Sequence, residues 1–326
     1  MATIKLVELK SDLGGRRVGA SLGIDAIHFA SYNKQEYFNF FHRFKKQKSL
    51  YKKISAPNYL FNNPNIIHKN CKHIEHLIKI YKKLSNEIAH GIKEADFTIV
   101  ISGDHSTAGG TIAGIKQADP EKRLGVVWID AHADIHSPYT SDSGNMHGMP
   151  LATAIDDDNL EYKINELNPN SKNLWEKIKN IGHPGAKLNP SDLVYVALRD
   201  YEAAEKNIIN KYKAKVVSTQ EVRSQNISEI AENILNHLSE CDIIYISFDV
   251  DSMDPSVSTG TGTPVENGLY AKEAKELLSK LLYMSPKIKC LEIAEVNPIL
   301  DNSNKMAEVS FDILASICQT IDNIHI

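Results

Sequence analysis

The chain has 326 residues, of which 42% are hydrophobic and 24% charged, and its formal net charge is −4 at pH 7. These proportions are ordinary for a globular protein and give no electrostatic reason to expect nucleic acid or an anionic membrane as a partner. The length fits one large α/β unit, and because no linker or composition shift marks a boundary we expect a single domain over residues 1–326.

Apolar runs and amphipathic stretches alternate along most of the chain. The apolar runs predict strands at residues 4–9, 97–101, 124–129, 193–198, 214–218, 243–248 and 288–294. Between most of them, helical periodicity predicts helices near residues 71–95, 107–117, 203–213, 226–240, 271–284 and 306–321. This alternation predicts an α/β fold in three layers, α/β/α, with a mostly parallel central sheet.

Two stretches do not follow the alternation. Residues 31–70 mix aromatics and lysines with Asn-Asn-Pro-Asn, and we expect an irregular excursion with at most a short helix. Residues 155–190 contain Asp-Asp-Asp-Asn and Asn-Pro-Asn-Ser, which favour a surface insertion with polar turns. His68, His73 and His76 lie on or just before a helical face after a polar loop, and we expect them to be solvated and without a role.

Side chains that can bind a metal follow three of the predicted strands. The carboxyl ends of strands in an open parallel sheet lie at one edge, where ligand sites form. Within each motif, residues two apart in extended chain face the same side. The candidate metal ligands are His105 in Ser-Gly-Asp-His-Ser, then Asp130, His132 and Asp134 in Asp-Ala-His-Ala-Asp, then Asp249 and Asp251 in Asp-Val-Asp.

This donor set indicates which ions the site would bind. Carboxylates and imidazoles without thiolates suit Mn²⁺, with Fe²⁺ and Co²⁺ as competitors. Six ligands exceed the four of a structural zinc site, so they favour a two-metal centre with a bridging carboxylate. Each motif alone would more often be a turn or a helix cap, but three together at strand ends reverse that preference. Asp254, before Pro255, is expected to form a turn, and Trp128 to lie in the core.

These motifs, with Gly-Thr-Gly-Thr-Pro-Val at residues 260–265, resemble the arginase/agmatinase (ureohydrolase) family. The resemblance runs from Asp-Leu-Gly-Gly-Arg-Arg at residue 12 to Glu-Val-Asn-Pro at residue 295. Members are binuclear manganese hydrolases with an α/β/α fold, which they share with deacetylases. The resemblance implies two Mn²⁺ ions per chain, bridged by Asp130 and Asp249. His105 and Asp134 would complete one coordination shell, and His132 and Asp251 the other.

The resemblance also implies a substrate. Ser-Gly-Asn-Met-His-Gly-Met-Pro at residues 143–150 is similar to the arginase motif, and this favours L-arginine. The implied contacts are Ser143 and Asn145 to the α-carboxylate, Asp200, Glu202 and Glu205 to the α-amino group and metal site, and Glu295 to the guanidinium. Thr263 could donate to substrate or stabilise its own loop. Three departures concern the amino-acid end: His136 where arginases usually have Asn, Glu202 where animal arginases have Asp, and Gly-Thr-Gly-Thr-Pro, which is common in agmatinases.

The implied reaction is hydrolysis of L-arginine to L-ornithine and urea by a metal-bridging hydroxide. Asp134 would orient the hydroxide and carry its proton. His147 would pass a proton to the leaving amine, although a loop histidine bonded only to backbone is an equal reading of its position. The alternatives are an agmatinase or other guanidino-compound hydrolase, and a catalytically silent metal-binding relative. Relatives are commonly trimers or hexamers, so we expect a homo-oligomer with no membrane partner.

The cysteines and the N-terminus bear on location. Cys71, Cys241, Cys290 and Cys318 form no CxxC pair, and Cys241 and Cys290 lie in or beside apolar runs. The first residues contain no apolar signal segment. A reducing, cytoplasmic setting is therefore the expectation.

Overall fold

The computed structural model describes residues 1–46, 48–63 and 65–325. Within these residues eight strands form one sheet in the order β2-β1-β3-β8-β7-β4-β5-β6, and all neighbouring pairs are parallel. The strands are β1 (Ile4–Lys10), β2 (Tyr51–Ser55), β3 (Phe97–Ser102), β4 (Leu124–Ile129), β5 (Leu193–Val196), β6 (Lys215–Val217), β7 (Ile243–Asp249) and β8 (Ile288–Ala294).

Helices cover both faces of this sheet, which gives the predicted three-layer α/β/α fold. Successive strand residues point to opposite faces: Leu6 and Val127 pack in one apolar cluster, and Val7 and Val126 in the other. The first cluster includes buried residues of α1, α8, α9 and α10, and the second includes those of α3, α4, α5 and α6. The helices are α1 (Gly23–Tyr32), α2 (His42–Lys45), α3 (Ile74–Glu94), α4 (Ala108–Ala118), α5 (Pro169–Lys179), α6 (Ala203–Tyr212), α7 (Thr219–Ser224), α8 (Ile227–His237), α9 (Ala271–Met284) and α10 (Lys305–Ile324).

The expectation of an irregular excursion over residues 31–70 was wrong for its second half. This segment contributes β2, which pairs in parallel with β1 at the edge of the sheet. The edge position explains the missing sequence signal, since only Ile54 of the strand is buried and Lys52 and Lys53 are exposed. A strand with one exposed face and one free edge does not need an apolar run.

The expectation of a polar surface insertion over residues 155–190 was wrong for the part that forms α5, whereas residues 160–168 do lie at the surface. Helix α5 places Trp175 and Ile178 in the core, and the indole N–H of Trp175 donates to Asp158 at 2.8 Å. Among the three histidines expected on the surface, His68 is buried, and its Nδ1 lies 2.7 Å from the hydroxyl of Ser171. In the described part of the chain, no helix has the length and apolar character needed to cross a membrane.

The strand order brings the three metal-binding motifs together. Strands β3, β8, β7 and β4 are consecutive neighbours at the centre of the sheet. Because they run parallel, the loops that follow β3, β4 and β7 leave the same edge. The fold therefore assembles residues far apart in sequence at one place.

Candidate metal centre

Short turns at the strand ends fix the candidate ligands. After β3, the carboxylate of Asp104 caps a turn by accepting the N–H of Ser106 at 3.1 Å, and His105 begins that turn. At the end of β7, Asp249 accepts the N–H of Asp251 at 2.8 Å. After β4, Asp130 accepts the N–H of His132 at 2.7 Å. The bonds to Asp130 and Asp249 engage Oδ1 of each carboxylate and leave Oδ2 to face His105.

The six candidate ligands form two adjoining groups. Nδ1 of His105 lies 3.1 Å from Oδ2 of Asp130, 3.0 Å from Oδ2 of Asp134 and 3.1 Å from Oδ2 of Asp249. On the other side, Nδ1 of His132 lies 3.0 Å from Oδ2 of Asp251 and 3.4 Å from Oδ1 of Asp130. Asp130 therefore contributes one oxygen to each group, which is the arrangement of a bridging carboxylate.

The donor chemistry fits divalent cations. Two sets of ligand atoms lie within 4.8 Å of one another: those of His105, Asp130 and Asp134, and those of Asp130, His132 and Asp251. Within the described residues, Nδ1 of His105 and Oδ2 of Asp130 are buried and neither forms a hydrogen bond of acceptable geometry, although they lie 3.1 Å apart. Buried polar atoms of this kind are costly unless something else satisfies them, and a cation would satisfy both. The residues present therefore fit a pair of hard or borderline ions.

Mutual proximity and burial shift the pKa values of these groups strongly. Burial, reinforced by the charge of Asp130, raises the pKa of Asp134 to about 7. Burial, together with Asp251 and Asp130, raises the pKa of Asp249 well above its usual range. Burial alone would lower the pKa of His105, but the three carboxylates around Nδ1 raise it well above its usual value. The cluster thus retains protons near neutral pH, and ions that bind would displace them.

A chain of buried hydrogen bonds leads away from the other nitrogen of His105. Nε2 lies 2.7 Å from the hydroxyl of Ser247, which lies 3.1 Å from the hydroxyl of Tyr245. The Tyr245 hydroxyl in turn contacts Oε2 of Glu292 at 2.8 Å. A carboxylate only accepts, so the Tyr245 proton points to Glu292, and Ser247 can donate to Tyr245 while accepting from His105. In the neutral imidazole this arrangement would leave Nδ1 of His105 without a proton and facing the candidate metal site.

The cluster opens on a cleft of about 390 Å³. His132, Asp134, Asp249 and Asp251 form part of its wall, whereas His105 and Asp130 are buried behind it. All the predicted substrate contacts except Glu295 line this same cleft: His136, Ser143, Asn145, Asp200, Glu202, Glu205 and Thr263, together with His147.

Glu295 lies beside the cluster. Its Oε1 accepts the N–H of His105 at 2.8 Å and lies 3.5 Å from Nδ1 of His147. Glu295 and Asp134 have φ values of +68° and +50°, a region that non-glycine residues seldom adopt. Such backbone strain concentrates at functional sites, where the surrounding structure sustains it.

Thr263 and His136, two of the predicted substrate contacts for which alternatives or departures were noted, contact carboxylates of the protein. The hydroxyl of Thr263 donates to Oδ2 of Asp251 at 3.0 Å, which supports the loop-stabilising alternative. Nε2 of His136 lies 3.5 Å from the carboxylates of both Glu202 and Glu205. Asp254 forms a turn, as predicted, because it accepts the N–H groups of Ser256 and Gly268.

Several residues of the site were not among the predicted contacts. Arg16, Asp142 and Tyr201 line the cleft. Arg199 donates to the carbonyl oxygens of Asp251 and Val265, both at 2.8 Å, and so ties the loop of Thr263 to the metal-binding loop. Arg16 and Arg199 stand in segments that resemble the family, Asp-Leu-Gly-Gly-Arg-Arg and Leu-Arg-Asp, and this was the one available signal for them.

Comparison with known proteins gives a consistent result. The model of the arginase family matches residues 2–319. The arginase of Bacillus subtilis (strain 168) is 30% identical over 319 residues, which is 97% of each chain. The solved arginase of Bacillus caldovelox is 28% identical, with a TM-score of 0.78 over 97% of this chain and 98% of that one. The arginase of Entamoeba histolytica, solved in complex with L-ornithine, is 26% identical, with a TM-score of 0.76 over 97% and 98%.

Proposed function

The chain belongs to the arginase family, and from this premise we propose that it hydrolyses L-arginine to L-ornithine and urea with two bound Mn²⁺ ions. The observation that carries the proposal is the shared carboxylate of Asp130, whose two oxygens face His105 and His132 respectively. Around it, four aspartates and two histidines surround the floor of a cleft large enough for a free amino acid.

The metals would be held by His105, Asp130, His132, Asp134, Asp249 and Asp251. When bound, two cations lower the pKa of a water molecule toward neutrality and so supply a strong nucleophile for the weakly electrophilic guanidinium carbon. The remaining requirements fall to the protein: it must hold the guanidinium beside that water, bind the amino-acid end, and deliver a proton to the departing amine.

His147 is our proposed proton donor. Burial would lower its pKa, but the neighbouring Glu295, together with Asp134 and Asp104, raises it above the usual value. A histidine that remains protonated near neutral pH can give its proton to the ornithine amine as the C–N bond breaks. Glu295 would at the same time accept hydrogen bonds from the guanidinium, a charge-assisted contact.

The other end of the cleft suits an α-amino acid. Glu202 and Glu205 offer carboxylates to the α-amino group, with Asp200 beside them. Ser143 and Asn145 would offer hydrogen-bond donors to the α-carboxylate, and His136 lies 3.5 Å from both glutamates. An amine and a carboxylate on one carbon would thus each meet a partner.

An agmatinase is the second candidate. The cleft wall contains Asp142, Asp200, Glu202 and Glu205 but few cations besides Arg16, which suits a substrate with two positive ends. Agmatine is arginine without the carboxylate, so it would use the same amine and guanidinium contacts. The choice of arginase over agmatinase rests on the loop of Ser143, Gly144 and Asn145. An agmatinase would not need this loop, because agmatine has no carboxylate.

One experiment separates these functions. We would load the protein with Mn²⁺, measure the metal content, and compare urea release from arginine, agmatine and 4-guanidinobutyrate. We expect two ions per chain and the highest kcat/KM for arginine. If arginine were the poorest substrate, the arginase proposal would be wrong. If no compound released urea although the ions were bound, the silent-relative alternative would stand.

Family membership also supports a proposal about the cellular and quaternary context. We propose a cytoplasmic enzyme that forms a homo-oligomer, a trimer or a hexamer, from single-domain chains. Light scattering coupled to size-exclusion chromatography would measure the mass of the assembly. A monomeric mass at micromolar concentration would contradict the proposed oligomer.

A further inference from the structure

A turn at residues 68–72 packs against the cleft loop that contains Ser143 and Asn145. The backbone N–H of Lys72 donates to the carbonyl oxygen of Gly144 at 2.9 Å. Gly144 has a φ of +70°, and a Cβ atom there would lie 1.9 Å from the carbonyl oxygen of Lys69. The two segments therefore touch backbone to backbone, and the turn sets the position of the cleft loop.

The turn is itself held in place by contacts of His68 with two helices. The imidazole of His68 is buried, with Nδ1 at 2.7 Å from the hydroxyl of Ser171 in α5 and Nε2 at 3.2 Å from Oε1 of Glu75 in α3. These contacts tie the turn to two helices of the outer layer. The turn is therefore a fixed support for the cleft loop rather than a loose connection.

From this support the side chain of Lys72 reaches Asn145. Its ammonium group donates to Oδ1 of Asn145 at 2.9 Å. An ammonium group has only donors, so the atom it contacts must be the amide oxygen, and the amide NH₂ is left for another partner. Asn145 lines the cleft, so that partner would be a ligand. The positive charge of Lys72 beside the amide oxygen also polarises the amide and strengthens its NH₂ as a donor.

We propose that Lys72, acting through Asn145, makes this site selective for guanidino substrates that carry a carboxylate. The inference rests on the proposed hydrolysis of arginine and names the determinant of its specificity. Lys72 locks the amide of Asn145 with its NH₂ as the donor, and it brings a positive charge to the one side of the cleft that must face an anion. Lys72 is a positioning residue, since it acts on the substrate through Asn145.

The proposal separates two ligands that are otherwise alike. Arginine and agmatine share the guanidinium and the amine, so Glu295, Glu202 and Glu205 serve both equally. The carboxylate is present in arginine alone. Loss of Lys72 should therefore weaken arginine binding and leave agmatine unaffected, whereas general damage to the loop would harm both.

The test compares Lys72→Met with Lys69→Met, which removes the same charge from an exposed side chain three residues away. For Lys72→Met we expect kcat/KM for arginine to fall about tenfold or more, mostly through KM, as expected when a charge-assisted contact is lost. For Lys72→Met we expect kcat/KM for agmatine to change less than twofold. For Lys69→Met we expect kcat/KM to stay the same for both substrates. An equal fall for both substrates, or no fall for arginine, would overturn the proposal.

A double-mutant cycle tests the route through Asn145. In the Asn145→Ala background, Lys72→Met should lower kcat/KM for arginine little further, because the amide that Lys72 orients has been removed. Lys72→Arg keeps a charged donor, so it should retain most of the preference for arginine over agmatine, measured as the ratio of their kcat/KM values. Fully additive losses in the cycle would show that Lys72 acts by another route and would reject this one.

Binding of the products keeps the inference separate from catalysis. Ornithine carries the carboxylate and putrescine does not, and calorimetry measures both without turnover. Lys72→Met should raise the Kd of ornithine about tenfold and leave that of putrescine unchanged; equal Kd changes would refute the role of Lys72. If the wild type bound ornithine in this Lys72-dependent way but did not cleave arginine, the proposed function alone would fail.

Discussion

The hydroxyl oxygen of Ser247 lies 2.7 Å from Nε2 of His105, while Nδ1 of the same ring faces three carboxylates. The relation makes Ser247 the first link of the buried chain that ends at Glu292. Outer partners of metal-binding histidines fix the tautomer and raise the basicity of the ligand nitrogen.

We therefore predict that Tyr245→Phe weakens metal binding although Tyr245 touches no ion. Removal of the hydroxyl breaks the chain between Ser247 and Glu292, so His105 loses its oriented acceptor. The Kd for Mn²⁺, measured by equilibrium dialysis, should rise about tenfold, at the lower end of the range for outer-shell changes. Tyr283→Phe, at an exposed tyrosine, is the control. A Kd within twofold of the wild type would remove the chain from the account of the metal site.

Asp130→Asn should have a larger effect, because Asp130 belongs to both groups of candidate ligands. An amide keeps the size of the side chain but loses the charge and one acceptor. We expect less than one Mn²⁺ per chain by elemental analysis and no measurable urea release. Asp142→Asn, at an exposed carboxylate on the same cleft, should keep two ions. Urea release by Asp130→Asn at more than a few per cent of wild type would contradict a metal-centred reaction.

The sequence could predict the central strands and the edge strand β6, but not the edge strand β2 or helix α5. Strands buried on both faces, such as β4, are apolar throughout and are readily recognised. In β2, two lysines face solvent, and α5 is polar except for the few side chains that it buries. Both elements are stabilised by contacts with distant parts of the chain, so the local pattern alone does not specify them.

The same distinction applies to the site. The candidate ligands stand within five residues of a strand end. Residues two apart in extended chain face the same side, and parallel strands end at the same edge of the sheet, so the sequence could predict that these ligands lie together. Lys72 joins the site through Asn145, 73 positions away, and the hydrogen-bond chain of Tyr245 ends on Glu292, 47 positions away. No spacing rule encodes such pairs, and only the folded chain brings them together.

Gly144→Ala should damage the cleft loop more than its small size suggests. The added methyl would force a left-handed backbone onto a residue with a side chain and would collide with the carbonyl oxygen of Lys69. Gly185→Ala is a matched control, since Gly185 has a similar φ of +77° but open space around its Cβ position. We expect Gly185→Ala to cost about 1 kcal/mol of stability with unchanged kinetics.

For Gly144→Ala we expect a greater loss of stability and a KM for arginine raised about tenfold or more, because Ser143 and Asn145 move with the loop. Denaturant unfolding and steady-state kinetics of both variants would measure these effects. If the two variants lost the same stability and had the same KM for arginine, the close approach between Gly144 and Lys69 would not be what positions the loop.

The buried amine of Lys187 donates to the carbonyl oxygens of Thr153 and Lys179. Burial, with a smaller effect of the nearby Lys179, lowers its pKa from 10.5 to about 8. Below pH 8 both the folded and unfolded states hold the proton, so the folded state bears the full cost of burying a charge. Between pH 8 and 10.5 the folded state loses its proton first, and stability rises with pH.

Lys187→Met removes this dependence. We predict that the free energy of unfolding of the wild type, relative to Lys187→Met, increases by roughly 2 kcal/mol between pH 7 and pH 9.5. Denaturant titrations of both proteins at each pH would measure it, and other titrating groups cancel in the difference. Lys177→Met, at an exposed lysine of α5, should show no such trend. If the difference between wild type and Lys187→Met stayed constant with pH, or fell, the amine of Lys187 would not be the group that the protein buries at a cost.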